Sequence, residues 1–284
     1  PLYTVDNARD SLQQFVGIAY NRWFKIGEDI SVQFRDAGHI LGSASVTLKI
    51  SRHGLKDTYV GFSGDIGRPD RPILRDPQPM PDLDYLICES TYGGKEHQGT
   101  PQDEQALLKV IEKTCVTNKG KLIIPAFSVG RTQEIIYMLD KLETSGKLPP
   151  IEVFVDSPLA INATEIFTMH PECYDMDLVE YMAIDPNPFG FKGLKFIRSA
   201  EKSKALNDYD KPCIIISASG MMQAGRVRHH LNNNIENPRN TILVVGYCAP
   251  NTLGARIRNK PETVRIFGQE KELKASVEIM ESYS

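Results

Sequence analysis

The chain has 284 residues, of which 41% are hydrophobic and 24% charged, with a formal net charge of −3. That is enough apolar sequence for one large domain or two ordinary ones, which excludes a largely disordered chain. The weak acidity excludes a generally basic nucleic-acid coat but leaves room for a local basic groove.

In chain order, the first third reads as β. Residues 30–34 alternate with period two, as a half-buried strand does. Residues 45–50 and 57–62 flank the turn Arg52-His53-Gly54 and read as a hairpin. Residues 68–81, rich in Pro, Asp and Arg, read as loop, and 85–88 as a short strand. From about Thr100 the rhythm changes. Helical spacing over 102–117, with Thr100-Pro101 as cap and first-turn proline, precedes a strand at 121–124. A helix at 130–142, a strand at 151–155 and a helix at 158–168 follow. Then come the apolar strand 212–216, a helix at 224–231, a strand at 240–245, and β-like stretches at 262–267 and 273–281. Apolar strands between helices predict an α/β fold with a mostly parallel sheet covered on both faces.

The five cysteines are scattered, with no CxxC pair, which predicts a reducing, cytoplasmic setting. No run of about 18 apolar residues occurs, so no membrane partner is expected.

Chemistry concentrates where the first strands end. His39 lies in Asp36-Ala-Gly-His-Ile-Leu-Gly-Ser-Ala44, Asp65 in Phe62-Ser-Gly-Asp-Ile-Gly67, and Glu89 in Cys88-Glu-Ser-Thr-Tyr-Gly93. Each has a bland alternative: a satisfied structural histidine, an Asx turn, a surface loop. Three polar groups framed by small residues after three strands outweigh those alternatives, because strand ends are where α/β enzymes carry their sites. Gly38 and Gly42 would also let backbone or metal approach His39 closely.

These motifs resemble the third and fourth metallo-β-lactamase motifs and the first additional motif of the β-CASP nucleases. The resemblance continues through Ile124-Pro-Ala-Phe-Ser-Val-Gly-Arg131-Thr-Gln-Glu134, Val155-Asp-Ser-Pro158, Ser217-Ala-Ser-Gly220-Met and Val245-Gly-Tyr247. It covers nearly the whole chain and is nearest the prokaryotic cleavage-and-polyadenylation-type members. It implies part of a metallo-β-lactamase αββα sandwich at 1–93, an inserted β-CASP domain at 94–270, and a strand at 271–284 returning to the first domain. It also implies zinc as cofactor, two ions in the intact protein. His39 would then be a terminal ligand, Asp65 a bridging ligand, and Glu89 would orient a histidine that protonates the leaving oxygen. The implied activity is zinc-dependent hydrolysis of RNA phosphodiesters. The family's HxHxDH cluster and its C-terminal histidines do not occur here, so the chain reads as a fragment expected to bind metal weakly and not to cut RNA by itself. The adjacent pair His229-His230 is no substitute, since neighbouring helical residues point about 100° apart.

Three turns predict contact with the phosphate backbone of single-stranded RNA: Ser128 and Arg131, Ser217 and Ser219, and Thr252 and Arg256. Each follows a buried strand and opens a helix, where N–H groups and the helix dipole favour an anion. Arg226 is expected in the same crevice. Ordinary helix caps are the alternative reading of these turns. Aromatic residues for base stacking are not visibly clustered. A second copy of the chain is a further candidate partner. Two other functions stay open on sequence grounds: a catalytically inactive RNA-binding scaffold, and a small-molecule metallohydrolase of the wider superfamily.

Overall fold

The computed structural model describes residues 2–91, 93–94 and 104–280. The expected cap Thr100-Pro101 and the end of the chain after Met280 lie outside the described residues. The chain divides into two compact units, one of Pro1–Pro69 with Asp76–Thr91, the other of Asp70–Arg75 with Tyr92–Ser284.

The first unit opens with helix α1 (Val5–Leu12), capped by Thr4 in a capping box with Asn7. It then forms a five-stranded sheet of β1 (Trp23–Lys25), β2 (Ile30–Asp36), β3 (Ala44–Ile50), β4 (Thr58–Phe62) and β5 (Tyr85–Ile87), in that order. Pairing is antiparallel from β1 to β4, and β5 runs parallel to β4. Strands β2, β4 and β5 therefore point the same way, and the loops after them share one edge. Those loops carry His39, Asp65 and Glu89.

The second unit contains α2 (Glu104–Ile111), which passes into a π-helical turn at Glu112–Thr117, then β6 (Lys121–Pro125) and α3 (Arg131–Thr144). Strand β7 (Glu152–Asp156) leads to α4 (Pro158–Met169), α5 (Met176–Tyr181), β8 (Leu194–Phe196) and α6 (Ala200–Ala205). The remainder is β9 (Cys213–Ser217), α7 (Val227–Asn234), β10 (Thr241–Val245), α8 (Leu253–Arg258), β11 (Thr263–Ile266), β12 (Gln269–Glu272) and β13 (Ser276–Met280). A six-stranded, fully parallel sheet runs β13-β10-β6-β9-β7-β8, while β11 and β12 form a separate hairpin. Every residue of β6, β9 and β10 is buried, as continuous apolar runs in a parallel sheet require. One core packs Ile123, Ile242 and Val244 against Leu231 of α7, Ile235 just after it and Ile257 of α8.

Two expectations are corrected. Strand β13 does not return to the first sheet; it pairs parallel with β10 from Thr241↔Ser276 to Val245↔Met280. The hairpin β11–β12 reverses the chain, and the N–H groups of Lys274 and Ala275 then donate to the Ile235 carbonyl while Ser276 N–H donates to that of Asn240. Those bonds deliver the strand beside the start of β10. Helix α7 begins at Val227, not at 224. The turn before it folds back so tightly that a Cβ on Gly225 (φ +81°) would lie 2.2 Å from the Ala218 carbonyl oxygen. The stretch 68–81 is largely loop, as expected, but its part Asp70–Arg75 is built into the second unit. Ile73 is buried, Asp175 N–H donates to its carbonyl, and Arg75 N–H donates to Cys173.

Candidate functional site

The three strand-end loops of the first unit are laced together by hydrogen bonds. In the loop between β2 and β3, the Ser43 hydroxyl oxygen accepts from the N–H groups of His39 (3.0 Å) and Ile40 (3.3 Å), and Gly38 N–H donates to Asp36 Oδ1. The loop after β4 docks on it through Gly67, whose N–H donates to the Ala37 carbonyl at 2.8 Å. The loop after β5 is tied in by buried Ser63, whose hydroxyl oxygen accepts from Glu89 N–H at 2.9 Å.

His39 Nε2 lies 3.9 Å from Asp65 Oδ2, with the imidazole 38% and the carboxylate 75% exposed. Glu89 Oε1 accepts from Ile66 N–H at 3.0 Å and Oε2 from Thr91 N–H at 3.2 Å. The Ile66 N–H first, then Thr91 and, least, the field of His39, hold the Glu89 carboxyl below the usual range against the opposing effect of burial. Glu89 is thus an ionised acceptor clamped to the loop that carries Asp65. The strand-end loops bring His39, Asp65 and Glu89 near one another. Tyr92 of the same motif lies outside the described residues.

Two accessible donors at this spacing fit two positions in the shell of one metal ion. Among the described residues no group of three or more His, Cys, Asp or Glu could hold a metal. The donor set offered by the described residues is partial.

In the second unit the parallel sheet puts the ends of β6, β7, β9 and β10 at one edge, so the three predicted turns do share a face. Ala126 N–H donates to the Ser217 carbonyl, the Ser128 and Ser157 hydroxyls are 3.2 Å apart, and Gly254 N–H donates to Met221. Several groups expected to meet RNA are, however, spent inside the protein. Ser217 is 1% exposed and its hydroxyl donates to the Asp156 carbonyl. Thr252 is buried, accepts from Ala255 N–H as the cap of α8 and donates to Ala249. Arg131 Nη1 donates to Glu134 Oε2 at 2.6 Å, and Arg71 Nη2 donates to Oε1 of the same carboxylate at 2.6 Å. At the start of α3, Thr132 N–H already donates to the Phe127 carbonyl. Ser128 and Ser219 are half-buried and Arg256 is exposed.

Arg226 is likewise committed, to a buried network that the sequence signals only by placing Asp156 at the end of an apolar strand. Asp156 Oδ1 accepts from Arg226 (2.7 Å), and Oδ2 accepts from His230 Nε2 (2.6 Å) and the Ser203 hydroxyl (2.5 Å). Burial pushes the Asp156 carboxyl up, but His230, Ser203 and Arg226 together outweigh it, so it titrates below the ordinary range. His230 therefore serves structure and His229 packs on Phe267, so the two do not share a ligand.

Residues 132–257 match the model of the Beta-Casp domain. The chain is 34% identical over 285 residues to Ribonuclease TTHA0252 of Thermus thermophilus, an alignment that takes in 100% of this chain and 64% of the relative. It is 32% identical over 274 residues to the RNase J-like protein of Methanocaldococcus jannaschii, covering 93% of this chain and 60% of that protein. It is 33% identical over 263 residues to the transcription termination factor FttA of Methanosarcina mazei, covering 91% and 40%. The chain thus spans less than two thirds of the length of each of these relatives. The motif order, the parallel sheet at the Beta-Casp match and these similarities agree: the chain belongs to the β-CASP family of the metallo-β-lactamase fold.

Proposed function

We propose that the intact protein is a zinc-dependent ribonuclease acting on single-stranded RNA in the cytoplasm. The observation that carries this reading is the His39–Asp65 pair, 3.9 Å apart, beside a Glu89 clamped to the Asp65 loop. The names of the ribonuclease and RNase J-like relatives support it. No described helix is long and apolar enough to cross a membrane.

His39 and Asp65 would hold zinc as part of a larger donor set. Zinc bound there would act as a Lewis acid on the phosphate and lower the pKa of water. The residues of this chain do the rest by position. Ser43 fixes the backbone at His39, Ser63 fixes Glu89, and ionised Glu89 offers an acceptor that can orient a proton donor for the leaving oxygen. In the second unit Arg256 is exposed and Ser128 and Ser219 are half-buried, so these predicted edge groups would meet phosphate, the two serines by exchanging their bonds to Ser157 and the Ala224 carbonyl, reading backbone with little sequence choice.

The test is elemental analysis of zinc together with cleavage of end-labelled single-stranded RNA by the intact protein. His39→Ala and Asp65→Ala are each expected to lower cleavage by about 100-fold or more while RNA affinity stays unchanged. Undiminished cleavage in either variant would remove that residue from the metal site. A zinc-free intact protein that binds RNA without cutting it would make the family member a scaffold.

A further inference from the structure

The tip of the β11–β12 hairpin carries a side chain that its backbone does not favour. Ile266 pairs with Gln269, leaving a two-residue turn of Phe267 (φ +51°) and Gly268 (φ +81°). Two positive φ values are what a type I′ turn requires, and Asn-Gly is its preferred sequence. A bulky aromatic residue there is a conformational outlier. Burial does not compensate, because Phe267 remains 45% exposed.

The ring instead organises two residues from the first turn of α7. The Arg228 guanidinium carbon lies 4.3 Å from the Phe267 ring centroid, and the His229 ring is 4.7 Å away at an interplanar angle of 36°. His229 is exposed and Arg228 half-buried. Arg71, Arg131, Arg198 and Arg226 are all bound to carboxylates, whereas Arg228 has no ion-pair partner among the described residues. The assembly brings together a phenyl ring, an imidazole and a guanidinium. All three are planar groups that stack on nucleic-acid bases, and the guanidinium also pairs with phosphate. Helix α7 begins where the turn containing Ser217 and Ser219 ends, so the cluster lies toward the edge proposed to meet the RNA backbone.

We propose that Phe267, Arg228 and His229 form a base-stacking platform for single-stranded RNA, supplying contacts to bases beside an edge that contacts phosphates. The proposal rests on the RNA reading above. Its test titrates the protein with fluorescently labelled oligouridine of about 20 nucleotides and with an abasic oligomer of the same length. Phe267→Asn installs the residue the turn prefers, so the hairpin is preserved. Phe267→Leu keeps apolar bulk without a ring, and Phe267→Trp keeps a stacking face. The expected result is about ten-fold weaker oligouridine binding by the Asn and Leu variants, wild-type binding by the Trp variant, and no change on the abasic oligomer. Wild-type oligouridine affinity in the Asn or Leu variant would overturn the platform and leave the RNA reading standing. Equal losses on both oligomers would also overturn it, assigning the ring to packing alone. Failure of the unaltered protein to bind either oligomer would remove the RNA reading and the platform with it.

Discussion

Gly67 approaches Gly38 so closely that a Cβ on Gly67 would stand 1.9 Å from the Gly38 carbonyl oxygen. This contact, with the Gly67 N–H bond to Ala37, seats the Asp65 loop on the His39 loop. It makes the 3.9 Å His39–Asp65 spacing a product of backbone packing, not of side-chain reach. Gly67→Ala should therefore separate the two loops. We expect a stability loss of about 1–3 kcal/mol from overpacking and weaker zinc retention by the intact protein, read by urea unfolding and elemental analysis. Unchanged zinc content would mean that the loops tolerate separation and that the spacing is not what selects the ion.

Arg131 was expected at the RNA, but Glu134 one turn along α3 and Arg71 from the Asp70–Arg75 segment enclose it in an Arg–Glu–Arg cluster. Arg131→Ala should thus act on stability, with a loss of about 1–3 kcal/mol as a buried carboxylate forfeits a charged donor. The dependence of RNA affinity on salt should keep its slope. A slope smaller by about one would show a phosphate contact and return Arg131 to the groove.

Asp156 is fully buried and neutralises Arg226 while accepting from His230 and Ser203. Asp156→Ala leaves the buried His230 imidazole and the half-buried Arg226 guanidinium without their carboxylate, Arg226 keeping only the Ile197 and Arg198 carbonyls, which should cost about 3–5 kcal/mol in denaturant unfolding. A cost under about 1 kcal/mol would mean that water or relaxation replaces the network.

What was legible in the sequence is what is local. The apolar runs of β6, β9 and β10 declare a buried parallel sheet, and small residues around His39, Asp65 and Glu89 mark strand-end loops. What escaped is the choice of distant partners. Nothing local to Arg71 points to Glu134, 63 positions on, or joins Asp156 to His230, 74 positions on. The β content of 276–280 was readable, but its sheet was not, because placement depends on the β11–β12 reversal and on bonds to Ile235 and Asn240. Strand β8 is three residues long and half exposed, too short for periodicity to register. Phe267 hides for the opposite reason: its neighbours in space, Arg228 and His229, lie about 40 residues back on another element, so no aromatic cluster shows along the chain.

Asp140 gives the second unit a pH dependence of definite sign. It is fully buried on α3, its Oδ2 accepts from the Tyr181 hydroxyl at 2.7 Å, and its Oδ1 has no hydrogen-bond partner among the described residues. Burial raises its carboxyl to about 7; the Tyr181 bond opposes this, and the charges of Asp185 and Glu143 add to it. The unfolded chain should titrate near the ordinary value of 3.8. Below that value both states hold the proton and the group's stabilising contribution is complete. The contribution falls as pH rises and is gone once pH passes the folded value, an upper bound of about 4 kcal/mol over the whole interval. Asp140→Asn keeps an acceptor for Tyr181 and removes the titration. In urea unfolding from about pH 8 down to about pH 5, the unaltered protein should gain about 2 kcal/mol relative to this variant. Parallel curves for the two proteins would show that Asp140 stays ionised in the fold, with water reaching Oδ1.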